Sequence, residues 1–136
     1  MCNQIMQVCV NTPDVGALAC FLRHEIVHYA EKSPNIFMSY NDIFALAKNS
    51  NLDLDPSEVV SLSISAVHVL CNPQIGVLEL KYLFIDDYND PIEISIDEVF
   101  EAHTSHSLEN PYTGDLIYDY KKYVFPFFVC KITDGV

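Results

Sequence analysis

Asp55-Pro56-Ser57-Glu58, the apolar run that follows it to Cys71, and Val77-Leu78-Glu79-Leu80-Lys81-Tyr82-Leu83-Phe84-Ile85 set the fold class of this chain. Asp55 supplies a capping carboxylate, Pro56 has its φ fixed near the helical value, and Glu58 follows at the third position, which together form a helix start. A helix to about Cys71 is expected. Val60, Ile64, Val67 and Cys71 then share one apolar face, with Val59 and Leu70 beside it, while Ser57, Ser61, Ser65 and His68 form the polar stripe. Asn72-Pro73-Gln74-Ile75-Gly76 ends that helix. Residues 77–85 alternate around Glu79 and Lys81 as a strand does, and Ile92-Glu93-Ile94-Ser95 returns after the turn formers Asp86-Asp87-Tyr88-Asn89-Asp90-Pro91, so a β-hairpin is expected.

Upstream, Thr12-Pro13-Asp14 starts a helix on which Val15, Leu18, Leu22, Ile26 and Tyr29 recur at spacings of three and four until Ser33-Pro34-Asn35. Ile36-Phe37-Met38 suits a short strand. Ser39-Tyr40-Asn41-Asp42 opens a short second helix through Ile43, Phe44, Leu46 and Ala47, ending near Asn49-Ser50-Asn51. Downstream, Ser95-Ile96-Asp97-Glu98 caps another short helix through Val99, Phe100 and Ala102. Asn110-Pro111-Tyr112-Thr113-Gly114-Asp115 is a turn, and Pro126 argues against an uninterrupted helix or a central strand in the aromatic tail. The expectation is one α+β domain over 1–136, with no internal repeat.

In layout, residues 14–95 resemble the winged helix-turn-helix family: helix, short strand, short helix, turn, longer capped helix and hairpin. The resemblance implies a winged-helix-like body of three helices and a β-hairpin, with residues 96–136 as an aromatic C-terminal extension. In members that read DNA, the third helix offers Arg, Lys, Asn or Gln to base edges. Residues 57–71 here carry no Lys or Arg, and the hairpin tip is acidic.

Charge points the same way. Seven basic and 19 acidic residues leave a net charge of −12, which repels phosphate backbones and anionic lipid. Residues 76–136 hold twelve of the acids and suit a partner protein with a basic surface. The N-terminal residues lack the basic and apolar segments of a secretory signal, and no apolar run is long enough to span a bilayer. Five cysteines without a CxxC pair read as free thiols in a reducing compartment, with Cys20 and Cys71 as core packing, so the chain is expected to be soluble and cytoplasmic.

One stretch carries a chemical pattern. His24-Glu25-Ile26-Val27-His28 resembles the H-E-x-x-H pattern of zincin metalloproteases, which implies His24 and His28 as zinc ligands and Glu25 as the general base. The apolar face of the same helix turns these histidines outward, no G-x-x-H continuation supplies a third ligand, and Glu58 is better placed for capping. His103-Thr104-Ser105-His106 is a second paired-histidine candidate.

The leading expectation is a non-enzymatic protein-interaction protein without a cofactor. It would bind its partner through Ser57, Ser61, Ser65 and His68, or through Tyr118, Tyr120, Tyr123, Phe125 and Phe127 of the tail. The alternatives are a zinc-dependent hydrolase using His24, Glu25 and His28, and a DNA-binding regulator or acidic nucleic-acid mimic.

Overall fold

A computed structural model describes residues 2–33 and 37–131 of the chain. It is an α+β protein. In chain order the elements are α1 (Cys2–Val8), α2 (Pro13–Lys32), β1 (Phe37–Met38), α3 (Tyr40–Lys48), α4 (Val59–Leu70), β2 (Leu78–Phe84), β3 (Ile92–Ile94), α5 (Ile96–Ser105), β4 (Leu108–Glu109), β5 (Leu116–Ile117), a single 3₁₀ turn (Tyr120–Lys122) and β6 (Val124–Cys130). Four strands are ordered β1-β6-β2-β3, and β4 pairs with β5 separately. The chain divides into two compact units: Leu80–Phe127, and the described residues on either side of it.

In the first unit, α2 packs on α1, α3 and α4. Leu18, Leu22 and Ile26 of α2 are fully buried, as are Ala66, Val67 and Leu70 of α4. Each large aliphatic side chain taken out of water in this way contributes roughly 1.5–3 kcal/mol. The apolar spacing read along α2 is therefore its core face, although Tyr29 at its end is exposed. Pro13 occupies the first turn of α2, and Thr12 before it makes no side-chain cap. The N–H of Ser33 closes the helix on the carbonyl of Tyr29. Pro34, Asn35 and Ile36, expected to stop α2 and begin the strand, lie outside the described residues.

The capping box of α3 forms as expected: the amide of Asp42 donates to Ser39 Oγ, and the amide of Ser39 donates to Asp42 Oδ2. Tyr40 at the start of α3 sets its ring edge-on to Phe128, with centroids 4.9 Å apart. β1 pairs antiparallel with the end of β6, Phe37 opposite Val129 and Met38 opposite Phe128. The N–H of Lys131 bonds the carbonyl of Val77.

α4 differs from expectation in its start and its face. Ser57 is not helical: its amide and hydroxyl both donate to Asp55 Oδ1, so Asp55-Pro56-Ser57 closes a turn and the helix begins at Val59. These two hydrogen bonds hold the Asp55 carboxyl below its usual range. The buried line is Ser63, Ala66, Val67 and Leu70, while Val60, assigned to the core from its spacing, is 50% exposed. Ser63 tolerates burial because its hydroxyl bonds the carbonyl of Val59 one turn back.

In the second unit the expected hairpin is present, with Tyr82 opposite Ile94 and Phe84 opposite Ile92. Ser95 caps α5 by accepting from the amide of Glu98. Phe84, Ile94, Val99, Ala102, Leu108 and Tyr120 form this unit's core. Pro126 lies within β6, a strand with neighbours on both sides in the sheet order, contrary to the expectation drawn from it. The geometry explains its tolerance. Ile85 N–H bonds the Tyr123 carbonyl, and Pro126 is an odd number of residues from Tyr123, so its nitrogen points away from β2. On that other side, among the described residues, β1 pairs with Phe128 and Val129 and not with residue 126, so no ladder bond there needs its proton.

Truncation should distinguish the two valines of α4. Val67→Ala is expected to cost about 1–3 kcal/mol in chemical denaturation. Val60→Ala should stay within about 0.5 kcal/mol. Equal losses would mean that Val60 is also a core residue.

Candidate functional site

The sequence-derived candidates are scattered over the structure. Ser57, Ser61, Ser65 and His68 are all exposed, the last three on one side of α4. Ser61 turns its hydroxyl onto the carbonyl of Glu58. Of the tail aromatics, Tyr118 and Phe125 are exposed and Tyr123 is half-buried, whereas Tyr120 and Phe127 are buried and offer no ring face in the folded chain. Tyr120 packs in the core of the second unit, where its hydroxyl lies 2.8 Å from His103 Nδ1. That bond engages one member of the second histidine pair, and the other, His106, takes the left-handed conformation that ends α5.

His24 and His28 project into solvent from α2, with Glu25 half-buried between them. Among the described residues no three His, Cys, Asp or Glu side chains come close enough together to hold a metal ion.

A concavity lies within the second unit. It is an open cleft of about 570 Å³, within the usual size range of ligand pockets. Asp86, Asp87, Asp115 and Asp119 supply its charge, and Phe84, Tyr88, Tyr118 and Tyr123 supply its rings. Two turns build it. In the first, Asp86 Oδ1 accepts the amides of Tyr88 and Asn89, and Asp86 Oδ2 accepts the side-chain amide of Asn89. These donors hold the Asp86 carboxyl below its usual range, so it remains anionic at any ordinary pH. In the second, Asn110 Oδ1 accepts the amides of Tyr112 and Thr113, and Gly114, at φ 79°, lets the chain reverse so that the Asn110 amide meets the Asp115 carbonyl. Tyr112 extends its hydroxyl to the carbonyl of Asp90, tying the second turn to the hairpin.

The four carboxylates are not equivalent. Asp86 is committed to its turn, and Asp119 pairs with Lys122 at 3.5 Å. Asp87 and Asp115 form no ion pair among the described residues. Tyr123 packs against Phe84 with ring centroids 5.9 Å apart, forming the apolar floor, while Tyr118, 74% exposed, and Tyr88, 92% exposed, stand free at the rim. Exposed aromatic faces beside uncommitted carboxylates attract organic cations through both the ring quadrupole and the charge.

The sequence reading singled out Tyr118 and Tyr123 but not Asp86, Asp87, Tyr88 or Asp115. Its available signals were the acidic excess after residue 76 and two Asx-type turns, and neither states that the turns meet. Comparison with family models, with curated proteins and with solved structures finds no match to this chain.

A carboxyl whose folded-state pKa is depressed stabilises its turn above the unfolded value and loses that contribution as pH falls through the folded value. Asp86 should therefore hold its turn above pH 3.8 and release it only below. The amide protons of Tyr88 and Asn89 are expected to titrate together, with a midpoint below 3.8, in NMR spectra recorded down the acid range. Asp86→Asn should abolish that titration; a midpoint at or above 3.8 would show that these amides do not hold the carboxylate.

Proposed function

We propose that this chain is a non-enzymatic protein-interaction protein that takes a basic segment of a partner polypeptide into the cleft of its second unit. The observation that carries the reading is the composition of that cleft, which is lined by four Asp side chains and by the rings of Phe84, Tyr88, Tyr118 and Tyr123. A compact divalent cation needs several ligands converging on one point, and no such group is present among the described residues. Carboxylates lining an open cleft can instead pair with Lys and Arg side chains of a peptide, whose aliphatic stems can lie on the rings.

The first unit supports the reading as a scaffold. α2, β1, α3 and α4 of this unit precede the β2–β3 hairpin in the chain, the element order on which the winged-helix-like reading of residues 14–95 rests. We take it as a winged-helix-like body whose third helix, here α4, has no cation for phosphate. A net charge of −12 opposes nucleic acid as the partner. No helix among the described residues is long and apolar enough to cross a membrane. Five cysteines with no disulfide among the described residues suit a cytoplasmic setting.

Fluorescence anisotropy with a labelled Arg/Lys-rich peptide tests the proposal. Binding should weaken as salt rises, because part of the attraction is between exposed charges. Asp87→Lys combined with Asp115→Lys should lower affinity at least about tenfold, the equivalent of about 1.4 kcal/mol. Tyr118→Ala should lower it about two- to tenfold if a cation sits on its ring. Affinity indifferent to salt and to the double charge reversal would refute the cleft as the site.

A further inference from the structure

Sulfur is concentrated where α1 meets α2. The two helices approach closely at Gly16: a Cβ there would lie 2.7 Å from Met6 Sδ and 3.0 Å from Cys9 Cβ. One turn further along α2, Cys20 Sγ is 3.8 Å from the backbone carbonyl of Cys2. Cys2 is exposed, Cys20 is half-buried beneath it, and Cys9 is buried. Arg23, the next basic residue on α2, is near enough to act on the Cys20 thiol, and its Nε is buried without a hydrogen-bond partner among the described residues.

We propose that Cys2 and Cys20 are a redox pair that closes to an intramolecular disulfide under hydroperoxide, tying α1 to α2. In the first step the exposed Cys2 sulfur, as thiolate, attacks one peroxide oxygen; the O–O bond breaks and hydroxide leaves, so sulfur loses two electrons and the peroxide gains them. The Cys2 sulfenic acid then condenses with the Cys20 thiol, forming the S–S bond and releasing water. Overall, two thiols and one hydrogen peroxide yield one disulfide and two waters.

The division of roles follows from environment. Burial, reinforced by the hydrogen bond to Cys2 and by the nearby Cys2 and Cys9 sulfurs and opposed by Arg23, pushes the Cys20 thiol up to about 12. A thiol so rarely ionised reacts poorly with peroxide and serves as the resolving partner, with the exposed Cys2 as the sensor. The closed loop constrains the unfolded chain and should raise thermal stability.

The reduced full-length chain is treated with equimolar hydrogen peroxide, denatured, alkylated and weighed. Alkylatable thiols should fall from five to three and return to five with dithiothreitol. Fragmentation of the unreduced tryptic peptide ending at Arg23 should place the bond between Cys2 and Cys20. The thermal midpoint of the oxidised chain should rise by about 5–10 °C. Cys2→Ala, at an exposed position, should keep the fold by circular dichroism and abolish both the thiol loss and the thermal shift. A thiol count that stays at five, a bond that maps to Cys9, or a linkage between two chains would overturn the pairing.

Discussion

The hydrogen bond from the Ile85 amide to the Tyr123 carbonyl, 2.8 Å long, closes the second unit and determines what its surface can do. It fixes the residue before Asp86 beside the residue that follows the 3₁₀ turn, so segments more than thirty positions apart in sequence border one cleft. The contact between Phe84 and Tyr123 reinforces the closure from the side-chain side. Without it, Asp86-Asp87-Tyr88 would be an acidic hairpin tip and Tyr118-Asp119 part of an unrelated loop. Closing this length of chain costs conformational entropy. Burial of Phe84, Ile94, Val99, Leu108 and Tyr120 behind the closure offsets that cost.

The closure also brings four carboxylates around one volume. Two of the four carboxylates are engaged locally, Asp86 by amide donors and Asp119 by Lys122. Asp87 and Asp115 make no ion pair among the described residues and are the carboxylates open to a cationic partner. Affinity and stability are thereby linked: a ligand that neutralises those carboxylates in the folded state alone stabilises that state by mass action.

Local signals in the sequence were legible where one short segment determines the outcome. Ser39 with Asp42 and Ser95 with Glu98 form the caps their spacing implies, and the β2–β3 hairpin follows from alternation and turn residues. The core face of α2 was equally readable from Leu18, Leu22 and Ile26. Tertiary choices were not. α1 rests on Ile5 and Cys9, one helical turn apart and too few to mark an amphipathic helix on their own. On α4 almost every residue is apolar or a small serine, so several faces fit burial and only packing against α2 selects the one containing Ser63 and Val67. Pro126 fits inside a strand because of the parity of its position and the shortness of β1, neither of which the local sequence encodes. The cleft was missed for the same reason, since its halves are joined by a pairing of distant residues.

Hydrogen exchange on the full chain, read by mass spectrometry with and without a saturating Arg/Lys-rich peptide, tests the central claim most directly. The account predicts slower exchange over residues 86–90 and 112–119, with α4 unchanged. Protection confined to α4 around Ser61, Ser65 and His68, or absent from both turns while the peptide is bound, would contradict it.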